Sequence, residues 1–392
     1  MMPSSFYAHS PKLSQIFFAM AIAFSLSGGV SGALMAQVSA QAAPSAPTSN
    51  TVSIKADRQQ YDPAKKLYRL DGRVTVKYKD IVITGTKAHV DIDEAGNPKL
   101  ANFFNRPTVK HFKAKTATTP AGEDIVLGDV VKLYLKDNQF GAEGNVISHI
   151  NTVAADPFVV RSDTQLIDNN RKIVTASGQV KVDYQGSVVY SNNALMRMNP
   201  AGKADRVIFT GDARLLKDSS EMTGERITVE VASGNLYAEN NVRTRVDLKE
   251  KQQGPDKVLV YSDYQNYDKA SSKMLASGHV KILYGDYVAT GPKATFNIVN
   301  GSVDKIFLTG RSTIIEQARK VTADKITITT NPKNFDAVGN VQTQFQTQAK
   351  PSPTAAAKPA AKGQAPKKSV LPVKPSQEAS PTVIPDNPLD YQ

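Results

Sequence analysis

One spacing constrains this chain more than any other. An acidic residue is followed, fifteen positions later, by Gly or Asn, and two positions after that by Val. It occurs as Asp57/Gly72, Asp129/Gly144, Asp163/Gly178, Glu225/Asn240, Asp263/Gly278 and Asp324/Gly339. A small residue precedes each acid: Ala56, Gly128, Ser162, Gly224, Ser262 or Ala323. Self-similarity at a fixed step marks a repeat architecture, so no residue in it is interpreted alone. A looser unit lies between the members of each pair. It begins at Lys87-Ala88, Asn193-Ala194 and Lys293-Ala294, and ends near Asn105, at Thr210-Gly211 and at Thr309-Gly310. The total is nine units in three super-repeats of about 100 residues each.

Each unit has room for two short strands and a turn. Apolar and polar residues alternate in Val74-Thr-Val-Lys-Tyr78 and in Val180-Lys-Val-Asp-Tyr184, the period of a strand with one face buried. Short apolar runs such as Val207-Ile-Phe209 and Lys305-Ile-Phe-Leu308 end in Thr-Gly, and Asn/Asp/Gly clusters separate the segments. No stretch longer than about ten residues carries a helical period. Many short strands with frequent turns predict an all-β sandwich or roll. The repeated acids and glycines then have a local role. An Asp entering a strand can accept hydrogen bonds from backbone N–H groups at a turn, and the Gly can take positive φ or admit a close neighbour. The structural repeat marks are therefore Asp57, Gly72, Asp129, Gly144, Asp163, Gly178, Asp263, Gly278, Asp324 and Gly339.

The ends of the chain differ in composition. A polar start with Lys12, an apolar run from Ile16 to Leu26, small residues and Val38-Ser39-Ala40 have the layout of a secretory signal peptide over residues 1–40. An uncleaved membrane anchor is the rival reading, since the apolar stretch is about long enough to span. Residues 41–53 read as a linker. The repeats occupy 54–346, divided at about 54–155, 156–255 and 256–346. Residues 347–392 contain nine prolines and few apolar side chains, a composition that predicts a disordered or polyproline-like tail.

Composition also removes chemistries. The absence of Cys excludes disulfides, thiolate metal sites, a cysteine nucleophile and a lipoprotein anchor. The five His (His9, His89, His111, His149, His279) show no metal-ligand spacing. No nucleophile elbow or phosphate-binding Gly-rich loop occurs. No catalytic residue, metal or cofactor is expected, and the chain is not expected to be an enzyme. The formal charge is +12, of which residues 1–50 carry +1 and residues 350–392 carry +3, leaving +8 in the repeats. A basic surface of this size suits an anionic membrane, an acidic glycolipid, a polysaccharide or plain solubility. Export disfavours nucleic acid as a partner.

The repeats resemble the LptA/OstA family of periplasmic lipopolysaccharide-transport proteins. The likeness lies in Asp57/Tyr61/Asp62 and Asp263/Tyr267/Asp268, in the Gly-x-Val-x-Val/Ile segments that follow, and in Thr84-Gly-Thr-Lys-Ala88 and Thr290-Gly-Pro-Lys-Ala294. The middle copy departs from it, with Ile167 in place of Tyr and Tyr190-Ser-Asn-Asn-Ala194 in place of the Thr-Gly run. The resemblance covers about residues 54–346. It implies an open β-jellyroll (a β-taco) whose sheets form a hydrophobic trough, non-catalytic carriage of lipopolysaccharide or a lipid A-like amphiphile toward the outer membrane, and a periplasmic location. It also implies docking to other β-jellyroll transport components of the inner and outer membranes and head-to-tail self-association. The trough candidates are Val74, Val76, Tyr78, Val180, Val182, Tyr184, Phe209, Val280, Ile282, Tyr284 and Phe307. The alternative is a secreted, self-assembling structural or adhesive β-repeat protein without lipid cargo.

Overall fold

The computed structural model describes residues 51–113, 122–150, 158–199, 204–248, 257–299 and 302–346. The segments expected to be a signal peptide and a Pro-rich tail lie outside them. The described residues are all-β: twenty-two strands join into one antiparallel sheet, with no helix among them. The first edge is β1 (Val52–Lys55) and β2 (Arg58–Asp62), which pair with successive stretches of β3 (Leu67–Tyr78). β4 (Ile81–Ile92) follows, then the broken strands β5 (Pro98–Phe104), β6 (Thr108–Lys113), β7 (Gly122–Leu127) and β8 (Val130–Tyr134). From β9 (Gln139–Ile150) to β20 (Arg319–Thr329) every strand is long and pairs with the strands before and after it. These include β10 (Phe158–Asp168), β11 (Ile173–Tyr184), β16 (Lys257–Asp268), β17 (Lys273–Tyr284) and β18 (Tyr287–Val299). The other edge is β21 (Asn334–Val338) with β22 (Gln342–Phe345), both paired to β20.

Each long strand is creased near its middle, and the repeat marks are the crease. Asp163 lies opposite two residues of β9, Gly144 and Asn145, so the ladder loses one step there. On β11 the residues Gly178 and Gln179 stand against the single Asn192. Two residues facing one make a β-bulge, which bends the strand that carries it. The bulged pair has positive φ, 76° at Gly178 and 45° at Gln179, and 74° at Gly278 followed by 46° at His279. Glycine takes that conformation without steric cost. A second constraint acts at the same place, because the acid fifteen residues upstream packs on the glycine. A β-carbon on Gly278 would stand 2.8 Å from the Asp263 Cβ and closer still to its carboxylate. Gly72, Gly144, Gly178 and Gly339 meet Asp57, Asp129, Asp163 and Asp324 in the same way. The acid also holds the residue after the glycine. Arg73 Nε, Asn145 Nδ2 and Asn340 Nδ2 donate to Asp57, Asp129 and Asp324 at 3.0, 2.8 and 2.7 Å, and His279 Nδ1 lies 2.7 Å from Asp263. At Asn240 and Asn241, where no glycine is present, both side-chain amides donate to Glu225.

Nine such creases occur among the described residues, at 72, 105, 144, 178, 211, 240, 278, 310 and 339. They lie side by side across the sheet and divide it into two half-sheets. The first half-sheet holds β1, β6, β7, β22 and the Tyr78, Tyr184 and Tyr284 ends of β3, β11 and β17. The second holds β2, β5, β8, β21 and the opposite ends of the long strands. Their inner faces share one hydrophobic core, running from Leu70 to Ile328. The described residues within 54–155, 156–255 and 256–346 follow one another along this one folded sheet.

Candidate functional site

The interior between the half-sheets is where the trough implied by the family resemblance would lie. An inner row of the first half-sheet runs in unbroken register from Val76 through Ile83, Val109 and Val126, then Val160, Val182 and Val189, to Val260, Ile282 and Ala289. Val74, Val76, Val180, Val182, Val280 and Ile282 all point inward and are at most 4% exposed. Phe209 reaches the same core from the second half-sheet and is buried. Phe307 departs from the expectation. It alternates out of phase with the buried Ile306 and Leu308, stands between the strand partners Thr295 and Thr327, and lies under Lys325 on the outer face. The short run Lys305-Ile-Phe-Leu308 does not announce its phase; the buried partners Phe296 and Ile328 set it.

The three tyrosines at equivalent positions behave differently, and this difference defines the site. Tyr78 donates its hydroxyl to the Leu135 carbonyl, 2.9 Å away on the tip of the second half-sheet. Tyr284 donates to the Thr330 carbonyl, also at 2.9 Å. In each case the acceptor follows the third strand beyond the tyrosine's own along the second half-sheet (β4, β5, β8 after Tyr78), so the half-sheets meet with one constant stagger. The third super-repeat adds an edge-on contact between Tyr287 and Phe335, with centroids 5.7 Å apart, and an ion pair between Lys333 and Asp286. Lys333 Nζ stands 3.9 Å from the centre of the Tyr287 ring.

In the middle super-repeat Tyr184 instead stacks on Phe158, with ring centroids 4.0 Å apart and planes at 18°. A cavity of about 50 Å³ opens beside it. Its walls are apolar and come from both half-sheets: Val182, Tyr184 and Val189 from the first, Val207, Phe209 and Val229 from the second. Lys217 is part of the lining, and burial pushes its ammonium pKa down. The structure thus brings Val182, Tyr184 and Phe209 together around one space and leaves Val74, Val76, Tyr78, Val280, Ile282 and Tyr284 in stretches bridged by tyrosine.

The apolar alternation gives no hint of the polar groups inside the core. Gln265 is fully buried, accepts a 2.6 Å hydrogen bond from Thr244 and reaches the Val260 carbonyl at 3.5 Å. Its counterpart Gln165 reaches the Val160 carbonyl at 3.3 Å, and Ser148 takes the place of Thr244. Gln165 Oε1 and Ser148 Oγ are buried with no hydrogen-bond partner among the described residues. A signal is present in the sequence, because Gln59, Gln165 and Gln265 each stand two residues after a repeated Asp. A second polar group, His111, is half-buried and held by Asp80 at 3.2 Å and Asp124 at 3.8 Å, with Lys113 on Asp124 at 2.7 Å. Burial works against its positive charge, but the two carboxylates outweigh it and raise its pKa to about 9. No group of three or more His, Asp or Glu among the described residues could hold a metal ion.

No family model and no curated protein matches this chain. A solved structure similar to it is that of LptH, the LptA homologous periplasmic component of the conserved lipopolysaccharide transport device from Pseudomonas aeruginosa. The identity is 12% and the TM-score 0.30, and the match covers 35% of this chain and 97% of that one.

Proposed function

We propose that this chain is a non-catalytic lipid-binding bridge of the periplasm, which takes the acyl chains of lipopolysaccharide or a similar amphiphile between its half-sheets. The middle super-repeat is where cargo enters. The observation that carries this is the apolar cavity beside Tyr184, at the one of three equivalent positions where the cross-sheet tyrosine bond gives way to a ring stack. Each methylene buried there is worth about 0.8 kcal/mol, so a few acyl carbons suffice for binding without a specific polar contact. A whole acyl chain needs more room than about 50 Å³, and the half-sheets must separate locally to receive it.

The open edges of the outer strands supply the ends of the bridge. β22 is exposed along its length and carries Phe345 at 69%, with Val338 and Val341 exposed beside it. Such edges are templates for strand addition, by a second copy or by another β-rich transport component. A photo-crosslinking residue at Val182 in the native host, with mass spectrometry of the adducts and of co-purified lipid, tests the proposal. Lipid on Val182 is the expected result; its reproducible absence, with no crosslink to a membrane partner, overturns it.

One observation favours a different reading. The first and third super-repeats are packed, with Val76, Ile83, Phe103, Phe296 and Ile306 at most 1% exposed. A dry interior is what a secreted structural β-rod without cargo requires. The same crosslinking result separates the two.

A further inference from the structure

The outer face of the first half-sheet carries a second feature that the interior does not explain. One row of outward residues crosses eight consecutive strands in continuous register: Arg161, Lys181, Tyr190, Arg214, Thr223, Arg243, Tyr261, Lys281. Both sequence neighbours of the two tyrosines and of all five cations (Arg161, Lys181, Arg214, Arg243, Lys281) are buried, so these side chains stand on the solvent side. The same row continues through Thr290, Thr313 and Thr322 to Gln342. There it enters a polar groove of about 410 Å³ lined by Arg311, Thr313, Lys320, Thr322, Gln342 and Gln344. No carboxylate interrupts the row. Acids lie in the row beside it: Asp183 meets Arg161 and Lys181 at 2.5 and 3.2 Å, and Glu221 meets Arg214 at 2.7 Å. Arg243 and Lys281 form no ion pair among the described residues.

We infer that this stripe is a binding track for a linear acidic glycan carrying about one negative charge per two sugar units. Three properties point to that class. Lys181, Arg214, Arg243 and Lys281 fall on alternate strands, which at about 4.8 Å per strand sets them roughly 10 Å apart, close to the length of two sugars in an extended chain. The strands between bring Tyr190, Thr223 and Tyr261. A tyrosine offers a flat apolar face with a polar tip, which suits the C–H face of a pyranose, and Thr and Gln hydroxyls and amides match sugar hydroxyls. Lys181 already lies 5.9 Å from the centre of the Tyr190 ring, so cation and ring act on one site. A basic row with no acid of its own attracts polyanions, most strongly at Arg243 and Lys281, because Asp183 and Glu221 partly neutralise Arg161, Lys181 and Arg214.

The test uses the full chain and defined probes at low salt: hyaluronan oligosaccharides, which carry one carboxylate per two sugars, neutral dextran, a single-stranded oligodeoxynucleotide, and vesicles containing phosphatidylglycerol. Hyaluronan should bind and dextran should not. Arg243→Glu with Lys281→Glu should weaken hyaluronan by roughly tenfold or more, since each exposed charge contact is worth up to about fivefold at low salt. Tyr190→Ala with Tyr261→Ala should weaken it severalfold with no loss of charge, and Lys325→Glu on the other half-sheet should leave it unchanged. Should the double reversal not fold, Arg243→Gln and Lys281→Gln carry the same readout. The proposal is overturned if hyaluronan does not bind, or if either pair of substitutions leaves its affinity unchanged. It is also overturned if the oligonucleotide or the vesicles bind the stripe more tightly than hyaluronan.

Discussion

Asp263 packs on Gly278, fifteen residues away in sequence, with its carboxylate in the space that a β-carbon on Gly278 would need. The pair does two things at one point. The glycine lets the backbone take positive φ, and the acid fills the room left by the missing side chain while binding His279. Repeated along the sheet, the device turns a flat meander into a folded one.

Gly278→Ala should therefore cost more than helix or loop glycines usually do. Positive φ alone accounts for roughly 1 to 3 kcal/mol, and the clash with Asp263 adds to it. In an Asp263→Gly background, which removes both the carboxylate and the Cβ, the clash is relieved and the penalty of Gly278→Ala should fall by about 1 kcal/mol or more. Urea unfolding of the four proteins in this cycle measures the coupling; strictly additive effects would show that the contact carries no energy.

Tyr78→Phe and Tyr284→Phe each remove one cross-sheet hydrogen bond and keep the ring. A loss of about 1 kcal/mol in each is expected, because the carbonyls of Leu135 and Thr330 are left without that donor. Hydrogen exchange should quicken at the tips of the half-sheets and not at the creases. Uniform protection in the variants would mean that the tyrosines do not hold the tips together.

The His111 cluster sets an alkaline limit on the first super-repeat. Its folded pKa, about 9, lies above the ordinary value of 6.5. The stabilisation is therefore complete below pH 6.5 and is lost as the pH rises through 9, a change on the order of 3 kcal/mol at most. His111→Asn should flatten the fall in unfolding free energy between pH 7 and pH 10 in the wild-type chain. Asp80→Asn should move the transition to lower pH, because one of the carboxylates that holds the proton is gone. A stability profile that is the same with and without His111 would remove the cluster from consideration.

Filling the middle cavity separates packing from binding. Val182→Phe adds volume to a space of about 50 Å³, so stability should be unchanged within about 1.5 kcal/mol. Capture of a fluorescent long-chain acyl probe should fall severalfold. The control is Ile282→Val, at the equivalent and already packed position of the third super-repeat, which should leave probe capture as it was. Equal capture by Val182→Phe and the wild-type chain would place the cargo elsewhere.

Much of this fold is legible in the residues. The fifteen-step marks count six of the nine units and the looser segments from Lys87, Asn193 and Lys293 the other three, and the alternation Val74, Val76, Tyr78 with its copies identifies the inward face. Both follow from local rules: period two for a half-buried strand, glycine for positive φ. Phe307 escapes those rules because Lys305-Ile-Phe-Leu308 has apolar residues at consecutive positions, and such a run has no phase of its own. Gln165 and Gln265 escape them as polar residues, although their spacing from the acids repeats.

What the sequence by itself determined is the unit: strand, crease, strand, turn, with an acid matched to a glycine in most copies. Those choices depend on residues within about twenty positions of one another. Only the tertiary structure decided what the copies do. Tyr78, Tyr184 and Tyr284 are the same residue in the same local pattern, yet two reach a carbonyl three strands away and one lies on Phe158. That outcome depends on the stagger between two half-sheets, a property of the whole folded sheet. The outer stripe from Arg161 to Lys281 has the same origin, since eight residues spread over 121 positions become neighbours only when register aligns their strands.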